Sequence, residues 1–462
     1  MHANRIHCEL LPGKKQPRPT MDKDNQIQLP FSPLKNRKVS AVFDEPLVSS
    51  DGGLMLVREV LEETGIIRSL AGALHDPRHP SYVDHTMEEL LTQRVAQICC
   101  GYEDANDCDA LRDDPLFKMA AGRLPEDGAL ASQPTMSRLE NRVSVRELLR
   151  MGYALADQFI ASFDHAPAAI VLDLDPTADH VHGRQQMALF NAFEDEYCFM
   201  PFHLYDGLSG KLITTVLRPG KTPTDREIIS VLKRVVKRIR AAFPCTRLIF
   251  RADSHHTKPV VMDWLEAQSV DFVTGLQTNS RLKAQFAQAL ADARKKHECT
   301  GREACVFASA FYQARTWSRA RRVICRVLVN ANGEDLRFII TSFENSGAKY
   351  LYETVYCGRG AMELMIKDHK NGLLSDRTSC HRFSANQFRL FLHSAAYVVM
   401  HHLRSVRLKG TRFCRAEFKT LRLKLLKIGV RVETGKTRIK LHMPQAFAEI
   451  MTLKTSVFAN TG

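Results

Sequence analysis

Asp173 and Asp175 stand in the run V-L-D-L-D-P-T, alternating with Leu172 and Leu174. That alternation puts both carboxylates on one face of a strand, which Pro176 then ends. Asp253 closes a second apolar run, L-I-F-R-A-D-S, and Glu363 lies in Y-C-G-R-G-A-M-E-L-M-I-K-D-H-K, residues 356–370. If the two strands are neighbours, their carboxylates meet at the C-terminal edge of a sheet, where open α/β sheets bind ligands. Glu363 would join from a helix. Oxygen donors without Cys or His partners suit Mg²⁺ or Mn²⁺ better than zinc. Two such ions about 4 Å apart can activate a water or a hydroxyl and stabilise the leaving oxygen of a phosphoryl displacement. Singly, each Asp is an ordinary strand-end residue; the chemistry lies in the joint pattern.

Tyr356, Arg359, Glu363 and Lys370 follow the spacing Y-x2-R-x3-E-x6-K. At about 100° per helical residue they share one narrow face, and Lys367 joins them. A ring, three cations and a carboxylate make a poor core but a good grip for a phosphate chain beside a metal ion. Trp317 and Arg319 lie among Tyr312, Arg315, Arg321 and Arg322, a composition that can stack an unpaired base. A tryptophan buried against neighbouring strands is the other reading. In L-A-S-Q-P-T-M-S-R-L-E-N, Ser132 can cap a helix whose Gln133, Thr135, Ser137 and Arg138 would reach phosphates or base edges. An ordinary capped helix fits those letters equally.

Other motifs fall away. G-K-T at 435–437 lacks the glycine spacing of a phosphate loop, and Ser254 has no nucleophile-elbow frame. The adjacent pairs His255-His256 and His401-His402 point in divergent directions and are weak metal ligands. The 12 cysteines form no C-x-x-C pair, which fits reduced thiols in a cytosolic chain without structural zinc.

Positioning these groups takes several elements. The 462 residues suffice for two or three domains, and a net charge of +14 points to a polyanionic partner, most simply nucleic acid. No apolar run approaches the roughly 18 residues of a membrane span. Residues 1–40 read as a flexible basic N-terminus, with Met21 an alternative start to Met1. Residues 41–165 read as a helical DNA-binding domain. From 168 the pattern turns to mixed α/β: strands at 168–175, 198–206 and 211–218, a helix at 224–240 with a Thr224/Glu227 capping box, a strand at 246–253, a helix near 257–268 and a strand at 271–276. Residues 278–352 read as a β-rich insertion, with strands at 321–329 and 336–343 turning at Asn332-Gly333. Helices return at 356–371 and 387–403. The basic region 404–462 holds 13 Lys or Arg against two Glu between Arg404 and Lys440, which strengthens the nucleic-acid reading.

With these residues in view, the chain resembles the DDE transposases of bacterial insertion sequences, most of all the insertion-sequence 1380 group, from about residue 40 to 454. The resemblance rests on G-Y-E-D-A-N-D (101–107), L-A-S-Q-P-T-M-S-R-L-E-N (130–141), L-D-L-D-P-T, H-G-R-Q (182–185), R-P-G (218–220), R-A-D-S (251–254) and the 356–370 signature. It implies an RNase H-like mixed-sheet core built from 166–277 and 353–403. It assigns the catalytic and metal-holding triad to Asp175, Asp253 and Glu363, with two Mg²⁺ or Mn²⁺ ions, and phosphate contacts to Tyr356, Arg359 and Lys370. It implies cleavage at the element's ends and attack of the freed 3′-hydroxyl on target DNA. The partners would be transposon-end and target DNA, with a homodimer or higher synaptic assembly in the bacterial cytoplasm. A related nuclease or resolvase without strand transfer, or an inactive DNA-binding relic, would carry many of the same residues.

Overall fold

The computed structural model describes residues 28–458, so most of the N-terminal segment expected to be flexible, with Met1 and Met21, lies outside the described residues. Where that segment enters view, the expectation needs correcting. Strands Gln28–Leu34 and Arg37–Val42 form an antiparallel hairpin. Lys35 and Asn36, with φ of 46° and 66°, supply its turn. The pair carries no glycine, the usual letter of such a turn. Residues up to Val48 form one unit and those from Ser49 onward a second, much larger one.

In the larger unit, helices precede a single eight-stranded sheet. Helix Met87–Cys100 begins with a capping box from Thr86 and Glu89 and buries Leu90, Leu91, Val95 and Ile98. Further helices include α1 (Val145–Ala161), whose capping box is Ser144/Glu147. The sheet strands are β1 (Ala169–Pro176), β2 (Phe202–Asp206), β3 (Leu212–Val216), β4 (Arg247–Ala252), β5 (Asp271–Leu276), β6 (Ala304–Tyr312), β7 (Arg321–Asn330) and β8 (Gly333–Thr341). Their order is β6-β7-β8-β5-β4-β1-β2-β3. β4 runs parallel to both β1 and β5, while β2, β3 and β8 are antiparallel to the strands they join.

Each parallel step needs a crossover, and helices supply it. α2 (Asp225–Ala242) links β3 to β4, starting at the Thr224/Glu227 capping box and burying Ile228, Leu232, Val235, Val236 and Ile239. α3 (Pro259–Ala267) links β4 to β5. The expected strand at 198–206 divides at Met200-Pro201: Glu196–Phe199 belongs to a small separate sheet and β2 to the large one.

Residues 278–352 are not set apart from the core. β8 pairs with β5, so the three long strands β6–β8 extend the central sheet. One core runs from Leu172 and Phe250 through Phe272 to Val323, Val327 and Ile340. β6, with three alanines and no clean alternation, had no strand signature; its pairing with β7 makes it one.

The C-terminal part is also built in. α5 (Phe383–His402) is buried on nearly all sides, packing against β3, α1 and helix Met87–Cys100. Beyond it, several cations expected on a free basic surface hold the fold together. Arg404 pairs with Asp368 at 2.5 Å, Arg407 with Glu63, and Lys427 with the fully buried Asp51 at 2.7 Å. Arg422 donates to the carbonyls of Cys99 and Gly372. Lys409, Arg415, Lys419 and Lys424 remain exposed. Strands Val430–Thr434 and Ile439–His442 form an antiparallel hairpin. Among the described residues, no helix is long and apolar enough to cross a membrane.

Candidate functional site

β1 and β4 pair in parallel with Asp173 opposite Arg251. Two residues further along, Asp175 and Asp253 leave the same sheet edge on adjacent strands. The fates of Asp173 and Asp175 differ. Asp173 is fully buried, and its two oxygens take Arg251 Nε at 2.6 Å and Nη2 at 2.5 Å. The same guanidinium donates through Nη1 to the Val355 carbonyl at 2.7 Å, tying the sheet to the segment that carries the 356–370 signature. Two glycines make room for it. A Cβ on Gly207 would lie 2.3 Å from Asp173 Oδ2, and one on Gly358 2.6 Å from Arg251 Nη1.

Asp175 keeps partial access to solvent and takes Arg359 Nη1 on Oδ2 at 3.0 Å. Burial raises its pKa above the usual carboxylate range, and the Asp253 charge adds to that against the pull of Arg359. Burial would raise Asp253 as well. There it is outweighed by the His256 hydrogen bond, the nearby charges of His256 and His255, and Arg359, so Asp253 is held below that range. His256 is 1% exposed, and its Nδ1 lies 2.6 Å from Asp253 Oδ1. The histidine pair dismissed as weak metal ligands therefore orients an acid instead, through the i,i+3 geometry of the short helix Ser254–His256.

The single helical face expected for residues 356–370 does not form. The segment is a helix of changing pitch: π at Leu351–Tyr356, 3-10 at Cys357–Arg359, α at Gly360–Lys367 (α4) and π again at Asp368–Gly372. No constant angle per residue carries across those junctions. Tyr356 lies over β5, where a Cβ on Gly275 would come within 2.8 Å of its hydroxyl. Arg359 reaches Asp175. Lys367 turns away and pairs with Glu417 at 2.7 Å. Lys370 donates to the Ala178 carbonyl beyond β1. Glu363 is exposed on α4 and, among the described residues, makes no hydrogen bond or ion pair. Among the described residues, no three His, Cys, Asp or Glu side chains converge enough to hold a metal ion. Of the expected triad, Asp175 and Asp253 leave adjacent strands at one edge, and among the described residues no contact joins Glu363 to them.

Beneath this edge lies a set of groups that sequence reasoning missed. His203 on β2 sits opposite Asp175 in the strand register, and its ring meets that of His369 at 4.9 Å. His369 bonds Ser375 Oγ through Nδ1 at 2.7 Å and lies 3.4 Å from Ser394 Oγ. Ser394 reaches Thr215 on β3 at 2.8 Å. Burial depresses His203 to about 3 and His369 well below its ordinary value, so both are neutral. The only available signal was H-K after the glutamate, and a histidine there is indistinguishable from a solvated one.

The remaining expected DNA contacts are dispersed. Trp317 is 8% exposed and belongs to the core, edge-on to Tyr312 at 5.4 Å, so it offers no ring face to a base. That expectation is withdrawn; the sheet extension buries the indole. Arg319 lies on the surface and pairs with Glu266 at 2.9 Å. Helix Gln133–Arg142 begins at Ser132, but the Ser132 side chain does not cap it. The Asp109 carboxylate accepts from Gln133 N instead, and Arg138 donates to Thr135 on the exposed face.

Comparison with known proteins gives a family match and a similar solved structure. A family model, the transposase DDE domain of group 1, matches residues 31–459. Among solved structures, the cryo-EM piggyBac transposase synaptic complex with hairpin DNA aligns over 82% of this chain and 79% of that one. Its identity is 12% and its TM-score 0.43. No curated protein matches in sequence.

Proposed function

Because the chain belongs to the transposase DDE domain group 1 family, we propose that it is an insertion-sequence transposase, of the 1380 group, which cleaves the ends of its element and joins them to target DNA. The observation that carries this reading is the pair Asp175 and Asp253, at the ends of adjacent parallel strands, where the Asp253 charge adds to the rise in the Asp175 pKa. The strand order β3-β2-β1-β4-β5, with β2 antiparallel to β1, supports an RNase H-like core.

Asp175 and Asp253 would hold a hard divalent cation, Mg²⁺ or Mn²⁺. They offer carboxylate oxygens only, and the rise in Asp175 comes first from burial, with the Asp253 charge a smaller addition. Glu363, exposed one turn beyond Arg359, is the third donor in this proposal. When bound, two such ions would lower the pKa of the attacking water and neutralise charge on the leaving oxygen. The chain's own residues do the rest. Arg251 locks Asp173 and fixes the spacing of β1 and β4. His256 and the His255 N–H hold Asp253 through Oδ1. Arg359, Tyr356 and Lys370 hold the DNA backbone, with transposon-end and target DNA as partners.

The test is a series on a duplex carrying the element's terminal repeat. Asp175→Ala, Asp253→Ala and Glu363→Ala should each abolish strand cleavage while end binding persists. Mn²⁺ affinity, read by paramagnetic resonance without DNA, should fall in the two aspartate variants. Cleavage at the wild-type rate in any of the three would overturn the assignment. A pre-cut end that is never joined to a plasmid, despite cleavage, would mark a nuclease instead.

A further inference from the structure

Two surfaces outside the cleavage site are complementary to each other. The first is the hairpin formed by strands Leu189–Asn191 and Glu196–Phe199. Its side chains are apolar and open to solvent: Met187 is 50% exposed, Phe190 52%, Tyr197 59% and Phe193 92%. The Asn191 side chain accepts from Phe193 N and builds the tip, so Phe193 is presented by a formed turn. Glu194, Asp195 and Glu196 follow it in sequence; Asp195 is exposed, while Glu196 pairs with His180 at 2.8 Å and Glu194 lies 4.0 Å from the same ring. An exposed aromatic patch rimmed by polar groups marks an interaction site.

The second surface is a groove of about 370 Å³ between α1, α2, β3 and α5. Its floor is apolar, with Leu148, Gly152, Val216 and Phe391, and the exposed Val145 and Leu149 stand at its lip. Arg234 and Arg238 line it from α2, and Lys233 and Lys237 stand exposed beside them. An acidic hairpin with an aromatic tip fits a basic-rimmed apolar groove. The two surfaces also adjoin. Phe383 lines the groove and packs against Phe199 at the hairpin's base, with ring centroids 5.7 Å apart.

We propose that the 187–197 hairpin of one copy docks into the α1–α2 groove of a second copy, reciprocally. Because the patches flank a common residue, a two-fold axis near Phe383 sets each hairpin over its partner's groove, as a closed isologous dimer requires. DNA is the poorer occupant of the hairpin surface, because three consecutive acidic residues would face its phosphates. No residue of either patch belongs to the cleavage site, so failure of this inference and failure of the cleavage reading are distinguishable.

The experiment is sedimentation equilibrium of the full chain without DNA, alongside the variants. The wild type should dimerise reversibly. Phe193→Ser, Glu194→Lys with Glu196→Lys, and Arg234→Glu with Lys237→Glu should each raise the dimer Kd by about tenfold or more. Combining both charge reversals in one chain should restore it to within a few-fold of wild type, a result that mere misfolding cannot give. Asp253→Ala should dimerise as wild type. A wild type that stays monomeric, a Phe193→Ser chain that dimerises normally, or a combined reversal that fails to recover would each overturn the proposal. So would a Phe193→Ser chain that loses DNA affinity but keeps its dimer.

Discussion

Asp173 and Asp175 are two residues apart and chemically identical, yet one is enclosed by Arg251 while the other keeps solvent at the sheet edge. The roles should separate in measurement. Arg251→Met would leave Asp173 buried without its partner, costing about 3–5 kcal/mol in urea unfolding. Asp173→Asn should lower stability while leaving Mn²⁺ affinity within a few-fold, whereas Asp175→Asn should do the reverse. Equal loss of metal affinity in both would refute the division. The alternation L-D-L-D disclosed that both carboxylates share a face. It held no information on which one an arginine would claim, because Arg251 lies 78 positions away and is brought in by register alone. His256 was illegible for a related reason: its partner is local, but burial decides that it orients rather than ligates.

At the scale of elements, the helix from Leu351 to Gly372 departs from uniform pitch where function is expected. The spacing Y-x2-R-x3-E-x6-K was legible; the face it forms was not, since a constant 100° step assumes a regular helix. Gly358 sits at the junction because Arg251 occupies the space a side chain would need. Gly358→Ala should therefore cost about 1–3 kcal/mol of stability, the scale of overpacked cores, and lower end binding. A melt unchanged by that methyl group would contradict the packing described. The buried histidines give a pH signature. Burial depresses His203, His393 and His401 to about 3, and His369 well below its ordinary value. Unfolded histidine titrates at about 6.5, so below that pH the unfolded chain binds more protons than the folded one. Stability is thus complete above about pH 6.5 and falls as pH drops, by about 1.4 kcal/mol per unit for each histidine. Urea midpoints should decline steeply from pH 6.5 to 5; a flat profile there would remove the buried neutral cluster from the account.

For the larger unit as a whole, segments that read as separable parts share one core. The 278–352 stretch extends the sheet, and the C-terminal block clamps the N-terminal helices onto α5 through Arg407, Arg422 and Lys427. Composition showed the charge in that block but not its use, because Glu63, Asp51 and the Cys99 carbonyl that absorb it are more than 300 residues away in sequence. Lys427→Met should strip the fully buried Asp51 of its ion pair and cost about 3–5 kcal/mol. Lys370→Ala should weaken end complexes and flatten their salt dependence by about one phosphate contact; an unchanged slope would count against its grip. The central claim is that Asp175 and Asp253 together cut DNA at the element's ends. The most direct measurement is Mg²⁺-dependent nicking of a terminal-repeat duplex by the wild type and by Asp253→Asn, which keeps the shape and removes the charge. The account predicts a cut at the repeat boundary by the wild type and none by the variant, with end binding retained in both. Equal cutting by both would contradict it.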